Sequence, residues 1–178
     1  YLDTLGADLY GYALPPETRP SLYQEANLDN LMEKSCMGDI NDLDKLTSFF
    51  EETKPSVLFH MAAQSLVRES FLHPIETFET NIIGTAKVIK AALECDSLEA
   101  IVVITSDKCY KNQETSEGYI ESDPLGGDDP YSASKACAEI ISQSMRSSFF
   151  SNKFCRLATV RAGNVIGGGD WSDDRIIP

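Results

Sequence analysis

Short apolar runs alternate with amphipathic stretches along the chain, and the runs predict strands. Residues 57–63 form a short apolar run of the kind expected of a strand that is covered on both faces. Residues 100–106 (AIVVITS) are the clearest buried strand. Residues 7–14, which end at Pro15-Pro16, and residues 156–162 are predicted as further strands, with a short segment at 37–40.

Between these runs, apolar residues recur at helical spacing. In residues 42–54 the positions Leu43, Leu46, Phe49 and Phe50 follow the i, i+3, i+6, i+7 pattern of one helix face, and Asn41 or Asp42 can cap it. The pattern predicts further helices, with a Gly- and Asp-rich loop at 118–129. These helices cover residues 22–34, 74–93 and 131–149.

The alternation of strands and helices predicts an α/β fold. At this spacing it indicates βαβ units, and therefore a doubly wound parallel sheet with helices on both faces. Such sheets bind ligands beyond the carboxyl ends of their strands. We therefore expect the chemistry just after five strand ends. These ends are Leu14, Ile40, His60, Thr105 and Ala162.

Composition and charge narrow the possible partners. The 178 residues suit one domain, and 15 Lys and Arg against 28 Asp and Glu give a net charge of −13. This charge argues against nucleic acid or an anionic membrane as partner, and no apolar run approaches the ~20 residues of a membrane span. Five scattered cysteines without a C-x-x-C pair predict neither a metal site nor a disulfide framework, and favour a reducing cytosol.

The predicted helix at 131–149 begins with a candidate catalytic pair. Tyr131 and Lys135 are four residues apart, so they share a helix face. A nearby ammonium favours the phenolate and lowers the pKa of a tyrosine. Such a tyrosine can take a proton from a hydroxyl group as hydride leaves the same carbon. Taken alone, the pair is better explained as an exposed pair of helix residues.

Polar residues follow two of the predicted strands. Ser106, Asp107 and Lys108 come directly after the most apolar run, where they form either a reactive group or an ordinary turn. After the strand at 57–63, the small residues Ala62 and Ala63 would let a ligand approach the backbone, or would allow tight packing. Nearby, His60 is predicted to be a buried histidine with a hydrogen-bond partner.

Two further features belong to this pattern. Asn81 is a polar residue on an apolar helix face, and we predict a structural role for it, tying neighbouring strands together. Residues 161–171 (RAGNVIGGGDW) form a Gly-rich loop whose exposed backbone suits phosphate or sugar groups.

Together these motifs resemble the extended short-chain dehydrogenase/reductase family, and within it the nucleotide-sugar 4,6-dehydratases. The stretches that carry the resemblance are H-M-A-A at 60–63, Asn81, T-S-D-K at 105–108, P-L-G-G-D-D-P-Y-S-A-S-K at 124–135 and A-G-N-V-I-G-G-G-D-W at 162–171. The resemblance implies CDP-glucose as the substrate and NAD as the cofactor.

The resemblance also implies a Rossmann-type fold of which this chain is a part. Residues 1–178 would be a partial NAD-binding domain that lacks the first strand and most of the C-terminal substrate domain. Since the family's first strand is central, the sheet would have an unfilled position with unpaired edges. We therefore expect the isolated chain to be unstable or to aggregate, and a cooperative thermal transition of soluble monomer would contradict this.

The family's catalytic roles fall on five residues. Tyr131 would remove the proton of the sugar 4-hydroxyl while NAD takes the C4 hydride, and Lys135 would hold the ribose hydroxyls and keep Tyr131 acidic. Ser106 would hydrogen-bond the 4-oxygen. Asp107 would protonate the departing 6-hydroxyl, and Lys108 would either take the C5 proton or act as a partner of Asp107, because a lysine base must first lose its own proton.

The family's binding residues are carried over in the same way. Asp39 and Ile40 match its adenine-contacting pair, and Ala62, Ala63 and Gln64 match the segment along the middle of the cofactor. The substrate side is matched by Asn164, Asp170, Trp171 and Arg175. Residues 11–15 contain no carboxylate for the adenosine ribose, so they do not select NAD over NADP. The resemblance further implies a homodimer formed through the helices at 74–93 and 131–149.

Three other interpretations stay open from the sequence. A nucleotide-sugar 4-epimerase would keep Ser106, Tyr131 and Lys135 but would not need the acid and base at 107 and 108. A non-catalytic nucleotide-binding module would place no demand on Tyr131. The 178 residues alone would also be inactive if the missing glycine turn is required.

Overall fold

The computed structural model describes residues 1–172, and it has the alternating α/β order that the hydrophobic pattern predicts. The strands are β1 Tyr10–Ala13, β2 Lys34–Met37, β3 Val57–His60, β4 Ala100–Ile104 and β5 Arg156–Val160. The α-helices are α1 Leu22–Glu25, α2 Leu43–Thr53, α3 Val67–Leu72, α4 Pro74–Phe78, α5 Thr85–Leu93 and α6 Pro130–Met145. Short 3₁₀ helices cover Asp3–Leu5, Leu28–Leu31 and Asp107–Cys109, and π-helical turns cover Glu79–Gly84 and Arg146–Phe150.

Most of the predicted elements are present, but the predicted helix at 22–34 is wrong. That stretch holds α1, a 3₁₀ helix and β2, and Asn27 between the two helices has a left-handed backbone (φ 51°) that interrupts α-helical geometry. The segment predicted at 37–40 was correspondingly misplaced, because β2 ends at Met37. The polar sequence of β2 (KSCM) gives no apolar strand signal.

All strand pairs in the described residues are parallel, but they form two sheets. In one, β1 pairs with β2; in the other, β4 lies between β3 and β5. No strand of the described residues joins these two sheets, and the expected unfilled position between them stays a prediction.

One hydrophobic core contacts both sheets. Leu46 and Phe50 of α2, Ile89 of α5 and Ile101 and Val103 of β4 belong to it, and all are nearly inaccessible to solvent. The side chain of Tyr12 in β1 packs against it too, with its ring centroid 5.5 Å from that of Phe49.

The two faces of the three-stranded sheet differ. Ile101, Val103 and Leu157 are buried beneath the helices, whereas the alternate residues Phe59 and Val160 are 46% and 47% exposed. We predicted helices on both faces of the sheet. In residues 1–172, helices cover one face of this sheet, so the prediction is confirmed for that face only.

Candidate active site

The carboxyl end of β4 gathers three reactive groups in one turn. Ser106 is buried, and its Oγ accepts the N–H of Lys108 at 3.2 Å and donates to Oδ1 of Asp107 at 3.1 Å. The Asp107 N–H donates to the carbonyl of Ala162 at 2.9 Å, which fastens the turn to the chain after β5. The side chains of Asp107 and Lys108 are thus held at the surface beside a buried hydroxyl.

Helix α6 brings the predicted catalytic pair to the same end of the sheet. Asp129 caps the helix by accepting the N–H of Ser132 at 2.9 Å, and Pro130 occupies the first turn, where its lack of an N–H costs nothing. Tyr131 and Lys135 both lie on the buried side of the helix. Since α6 packs against the Asp107–Cys109 turn, the pair lies close to the Ser-Asp-Lys group.

Lys135 is a buried ammonium with hydrogen-bonding capacity to spare. Its Nζ donates to the carbonyl of Ile104 at 3.4 Å, and burial lowers the pKa of Lys135. An ammonium has three donors, so the side chain can hold hydroxyl groups of a ligand as well.

A pocket of about 340 Å³ opens beside these groups. Its lining consists of Asp107, Lys108, Tyr110, Asn112, Tyr119, Gly127, Asp128, Asp129 and Ser132. Three carboxylates against one ammonium disfavour a phosphate group, whereas the carboxylates can accept hydrogen bonds from hydroxyls and the ammonium can donate to them. The aromatic and carboxylate lining therefore fits an uncharged, hydroxyl-rich group such as a hexose.

The Gly-rich loop reaches this pocket at one end only. Nζ of Lys108 donates to Oδ1 of Asn164 at 3.1 Å, so Asn164 joins the site. At the other end Gly169 lies against Leu22 of α1, and neither Asp170 nor Trp171 lines the pocket. Arg175 lies outside the described residues.

The backbone of the chain after β3 is held by Asn81. Asn81 accepts the N–H of Gln64 at 2.9 Å and donates to its carbonyl at 2.9 Å and to Oγ of Ser134 in α6 at 2.8 Å. The Gln64 side chain donates to Thr77 at 2.8 Å. Asn81 therefore has a structural role, as predicted, but it ties the segment after β3 to helix α6 rather than one strand to another. The small Ala62 is exposed.

His60 is buried and paired, as predicted. Its Nε2 lies 2.9 Å from Oγ1 of Thr85. Burial, with a smaller contribution from the charge of Lys135, lowers the pKa of His60 to about 4. The imidazole is therefore neutral at pH 7.

At the end of β2, Asp39 and Ile40 lie in different surroundings. Asp39 is exposed, its carbonyl accepts the hydroxyl of Tyr12 at 2.9 Å, and its Oδ1 accepts the N–H of Asn41 at 2.8 Å. The side chain of Ile40 is buried in the core. Asp39 therefore offers an exposed carboxylate after β2, whereas the Ile40 side chain is not accessible to a ligand.

Several residues around the pocket were not predicted from the sequence. The rings of Tyr110 and Tyr119 stack with centroids 4.8 Å apart, and the guanidinium of Arg161 lies 4.8 Å from the centre of the Tyr110 ring. Arg161 also pairs with buried Glu139 at 3.0 Å. A signal for Glu139 was available, because it continues the four-residue spacing of Tyr131 and Lys135.

Residues 1–172 contain no cluster of three or more His, Cys, Asp or Glu side chains able to hold a metal ion. No helix in that range is long and apolar enough to cross a membrane.

The parallel fold and the Ser-Asp-Lys and Tyr-x-x-x-Lys groups at one sheet edge define an extended short-chain dehydrogenase/reductase. Residues 17–157 match the model of the family described as GDP-mannose 4,6 dehydratase, and the chain belongs to that family.

Individual relatives agree with this assignment. The chain is 50% identical to CDP-glucose 4,6-dehydratase of Salmonella typhimurium, covering 100% of this chain and 51% of the relative. The structure of DesIV, a dTDP-glucose 4,6-dehydratase from Streptomyces venezuelae with NAD bound, matches with a TM-score of 0.73 at 23% identity over 89% of this chain and 48% of that one. A UDP-glucose 4-epimerase from Brucella ovis in complex with NAD matches with a TM-score of 0.68 at 18% identity, over 89% and 52%. These structural likenesses support the fold, and the chain spans about half the length of the relatives.

Proposed function

We propose that residues 1–178 are the NAD-binding part of a CDP-glucose 4,6-dehydratase, a hydro-lyase that forms CDP-4-keto-6-deoxyglucose. The observation that carries the proposal is the placement of Asp107 and Lys108. They line a pocket for an uncharged polar group beside Ser106 and the first turn of α6. A 4-epimerase has no use for an acid and an ammonium at this place. The 50% identity to the Salmonella dehydratase over the whole chain supports the same choice.

NAD is the proposed cofactor. When bound, it supplies reversible acceptance of a hydride. Asp39 and the backbone at Ile40 would hold its adenine end, the backbone of residues 62–64 would follow its middle, and Lys135 would hold its ribose hydroxyls. This arrangement follows the carboxyl edge of the sheet from β2 past β3 to α6, where dinucleotides bind in folds of this kind.

The oxidation step at the sugar rests on α6 and Ser106. Tyr131 takes the proton of the 4-hydroxyl, and the Lys135 ammonium favours the phenolate that this requires. Ser106 donates to the 4-oxygen. Since its hydroxyl donates to Oδ1 of Asp107, this role requires the hydroxyl to turn towards the substrate.

The elimination step rests on Asp107 and Lys108. A 4-ketone acidifies the C5 proton. Lys108, once it has lost its own proton, would take the C5 proton while Asp107 donates a proton to the departing 6-hydroxyl, so that one water leaves and a C5–C6 double bond forms. The hydride removed from C4 would then be returned to C6, and Lys108 would return a proton to C5, which gives the 4-keto-6-deoxy sugar. Nζ of Lys108 lies 3.1 Å from Asn164 and 3.7 Å from Asp107. A Lys108→Ala enzyme that retains full exchange of the C5 proton would exclude Lys108 as the base and leave it as a partner of Asp107.

The remaining parts of the proposal concern substrate, assembly and compartment. Asn164, Asp170, Trp171 and Arg175 would contact the nucleotide sugar. The complete protein would dimerise through the helical regions at 74–93 and 131–149, where Ile83 and Ile140 are 49% and 54% exposed. The compartment would be the cytoplasm.

The test is incubation of the full-length protein with CDP-glucose and NAD. We expect loss of one water and a base-induced chromophore of a 4-keto-6-deoxy sugar. UDP-glucose and dTDP-glucose serve as matched competitors. An isomer of unchanged mass would instead identify a 4-epimerase, and no conversion of any nucleotide sugar would favour a non-catalytic module.

A further inference from the structure

Glu139 is a buried charged residue that the scheme above does not use. It is 5% exposed, and it continues the stripe of α6 formed by Tyr131 and Lys135. Burying a carboxylate is costly unless it is paired and hydrogen-bonded. The contacts of Glu139 should therefore show what stabilises its buried charge.

The Glu139 carboxylate joins α6 to the ends of two strands. Oε1 accepts the hydroxyl of Thr105 at 2.5 Å, while Oε2 accepts the hydroxyl of Thr159 at 2.9 Å and Nη2 of Arg161 at 3.0 Å. Thr105 directly precedes Ser106, and Thr159 and Arg161 belong to β5 and its carboxyl end. Burial raises the pKa of Glu139, but the hydrogen bonds from Arg161, Thr105 and Thr159 outweigh it and the net pKa is lowered.

Arg161 extends these contacts to the wall of the pocket. Its Nη1 donates to the carbonyl of Glu121 at 3.1 Å, and its guanidinium lies over the ring of Tyr110. Tyr110 stacks on Tyr119, and both rings line the pocket. The side chain of Glu139 is thus connected to the catalytic helix, to the turn with Ser106 and to the aromatic wall.

We propose that Glu139 is a positioning residue. Its contacts fix the angular position of α6 relative to Ser106 and Asp107, and through Arg161 they fix the aromatic wall. Misplacement of a reacting group by about 1 Å costs as much as 10²-fold in rate. The activity test below rests on the proposed dehydratase function, whereas the exchange test does not.

The experiment compares Glu139→Gln with wild type in the full-length protein. We expect kcat for CDP-glucose to fall about tenfold while KM stays within about twofold, because the loss concerns alignment in the transition state. The acid limb of the kcat–pH profile should move to higher pH, because a displaced Lys135 favours the Tyr131 phenolate less. Glu139→Asp, which keeps the charge, should recover part of the rate.

Two variants serve as references. Glu94→Gln removes an exposed carboxylate that pairs with Lys90, and should leave kcat unchanged. Thr159→Val removes one hydrogen bond to Glu139 and keeps the ion pair, so it should lower kcat by about threefold. It also tests the proposal if Glu139→Gln does not fold.

Hydrogen exchange provides a second measurement that needs no substrate. Glu139→Gln, or Thr159→Val in its place, should speed amide exchange in residues 106–109 and 131–135, and Glu94→Gln should not. A variant that loses thermal stability but keeps the kcat, pH profile and exchange of wild type overturns the positioning role. If wild type converts no CDP-glucose, the proposed function fails, and the exchange rates alone decide the role of Glu139.

Discussion

The two sheets of this chain are stabilised by different kinds of interaction. In the three-stranded sheet, Ile101 and Val103 of the central strand are 0% and 1% exposed, and the strand ends are joined to α6 through buried polar groups. In the two-stranded sheet every residue of both strands is exposed or half-buried. A few side-chain contacts, such as the Tyr12 hydroxyl on the Asp39 carbonyl, help to hold its end. Changes in the first region should therefore cost more than matched changes in the second.

The largest difference is expected between two tyrosines. Tyr131→Phe in the full-length protein should lower kcat about 10³-fold, because the general base is removed. Tyr23 bonds Asp29 at 2.7 Å and lies 3.1 Å from Ser35 of β2, so Tyr23→Phe should leave kcat unchanged. Steady-state dehydration assays check both. A Tyr131→Phe enzyme with undiminished turnover would show that the phenol is not catalytic.

The next difference concerns core packing. Ile101→Ala should destabilise the protein by about 4 kcal/mol, because a fully buried side chain leaves a cavity in β4. Cys36→Ala in half-buried β2 should cost about 1 kcal/mol or less. Urea unfolding of the full-length variants measures both. Equal costs would mean that the two-stranded sheet is packed as tightly as the other.

The same difference explains which elements the sequence predicts. Residues 100–104 form an uninterrupted apolar run because β4 is the central strand of its sheet and helices cover one of its faces. In β2 the side chains of Lys34 and Ser35 are only half-buried, so the sequence pattern carries no strand signal and the prediction extended a helix through it.

The candidate site divides in a similar way. Tyr131, Lys135 and the Ser106–Lys108 turn belong to short local motifs, and their spacing indicates chemistry directly. The pocket wall depends on pairs that are distant in sequence, such as Glu139 with Arg161 and Tyr110 with Leu125 in an isolated bridge. A single sequence contains no pattern for such pairs, since their geometry depends on the folded chain.

A smaller effect is expected from pH. His60 has a pKa of about 4 in the folded protein and about 6.5 when unfolded, so the unfolded state binds more protons between these values. Its contribution to stability is complete above pH 6.5 and is lost as the pH falls to about 4, by on the order of 3 kcal/mol.

Carboxylates also make the free energy of unfolding depend on pH. Comparing wild type with a variant that lacks His60 separates the contribution of His60 from theirs. We expect the stability difference between wild type and His60→Gln to shrink as the pH falls from 7 to 4, with exposed His73→Gln as the control. Urea unfolding at a series of pH values measures it. A difference that is constant over this range would show that His60 does not titrate as its burial predicts.

The smallest difference in stability is expected between substitutions at two glycines, Gly127 and Gly11. It tests whether the first turn of α6 is more rigid than strand β1. A Cβ at Gly127 would lie 2.5 Å from the backbone N of Ala133 and 2.5 Å from the carbonyl carbon of Ser132, and backbone in a capped helix cannot yield without moving its first turn. Gly127→Ala should therefore cost about 2 kcal/mol and lower kcat, because Tyr131 lies in that turn. A Cβ at Gly11 of β1 would clash with the flexible Met32 side chain and would make an ordinary contact with Oγ of Ser35, so Gly11→Ala should cost less than about 1 kcal/mol and spare kcat. Urea unfolding and turnover of both variants measure these effects. A Gly127→Ala protein as stable and as active as Gly11→Ala would mean that the first turn of α6 adjusts freely. The two regions would then differ in hydrophobic packing alone.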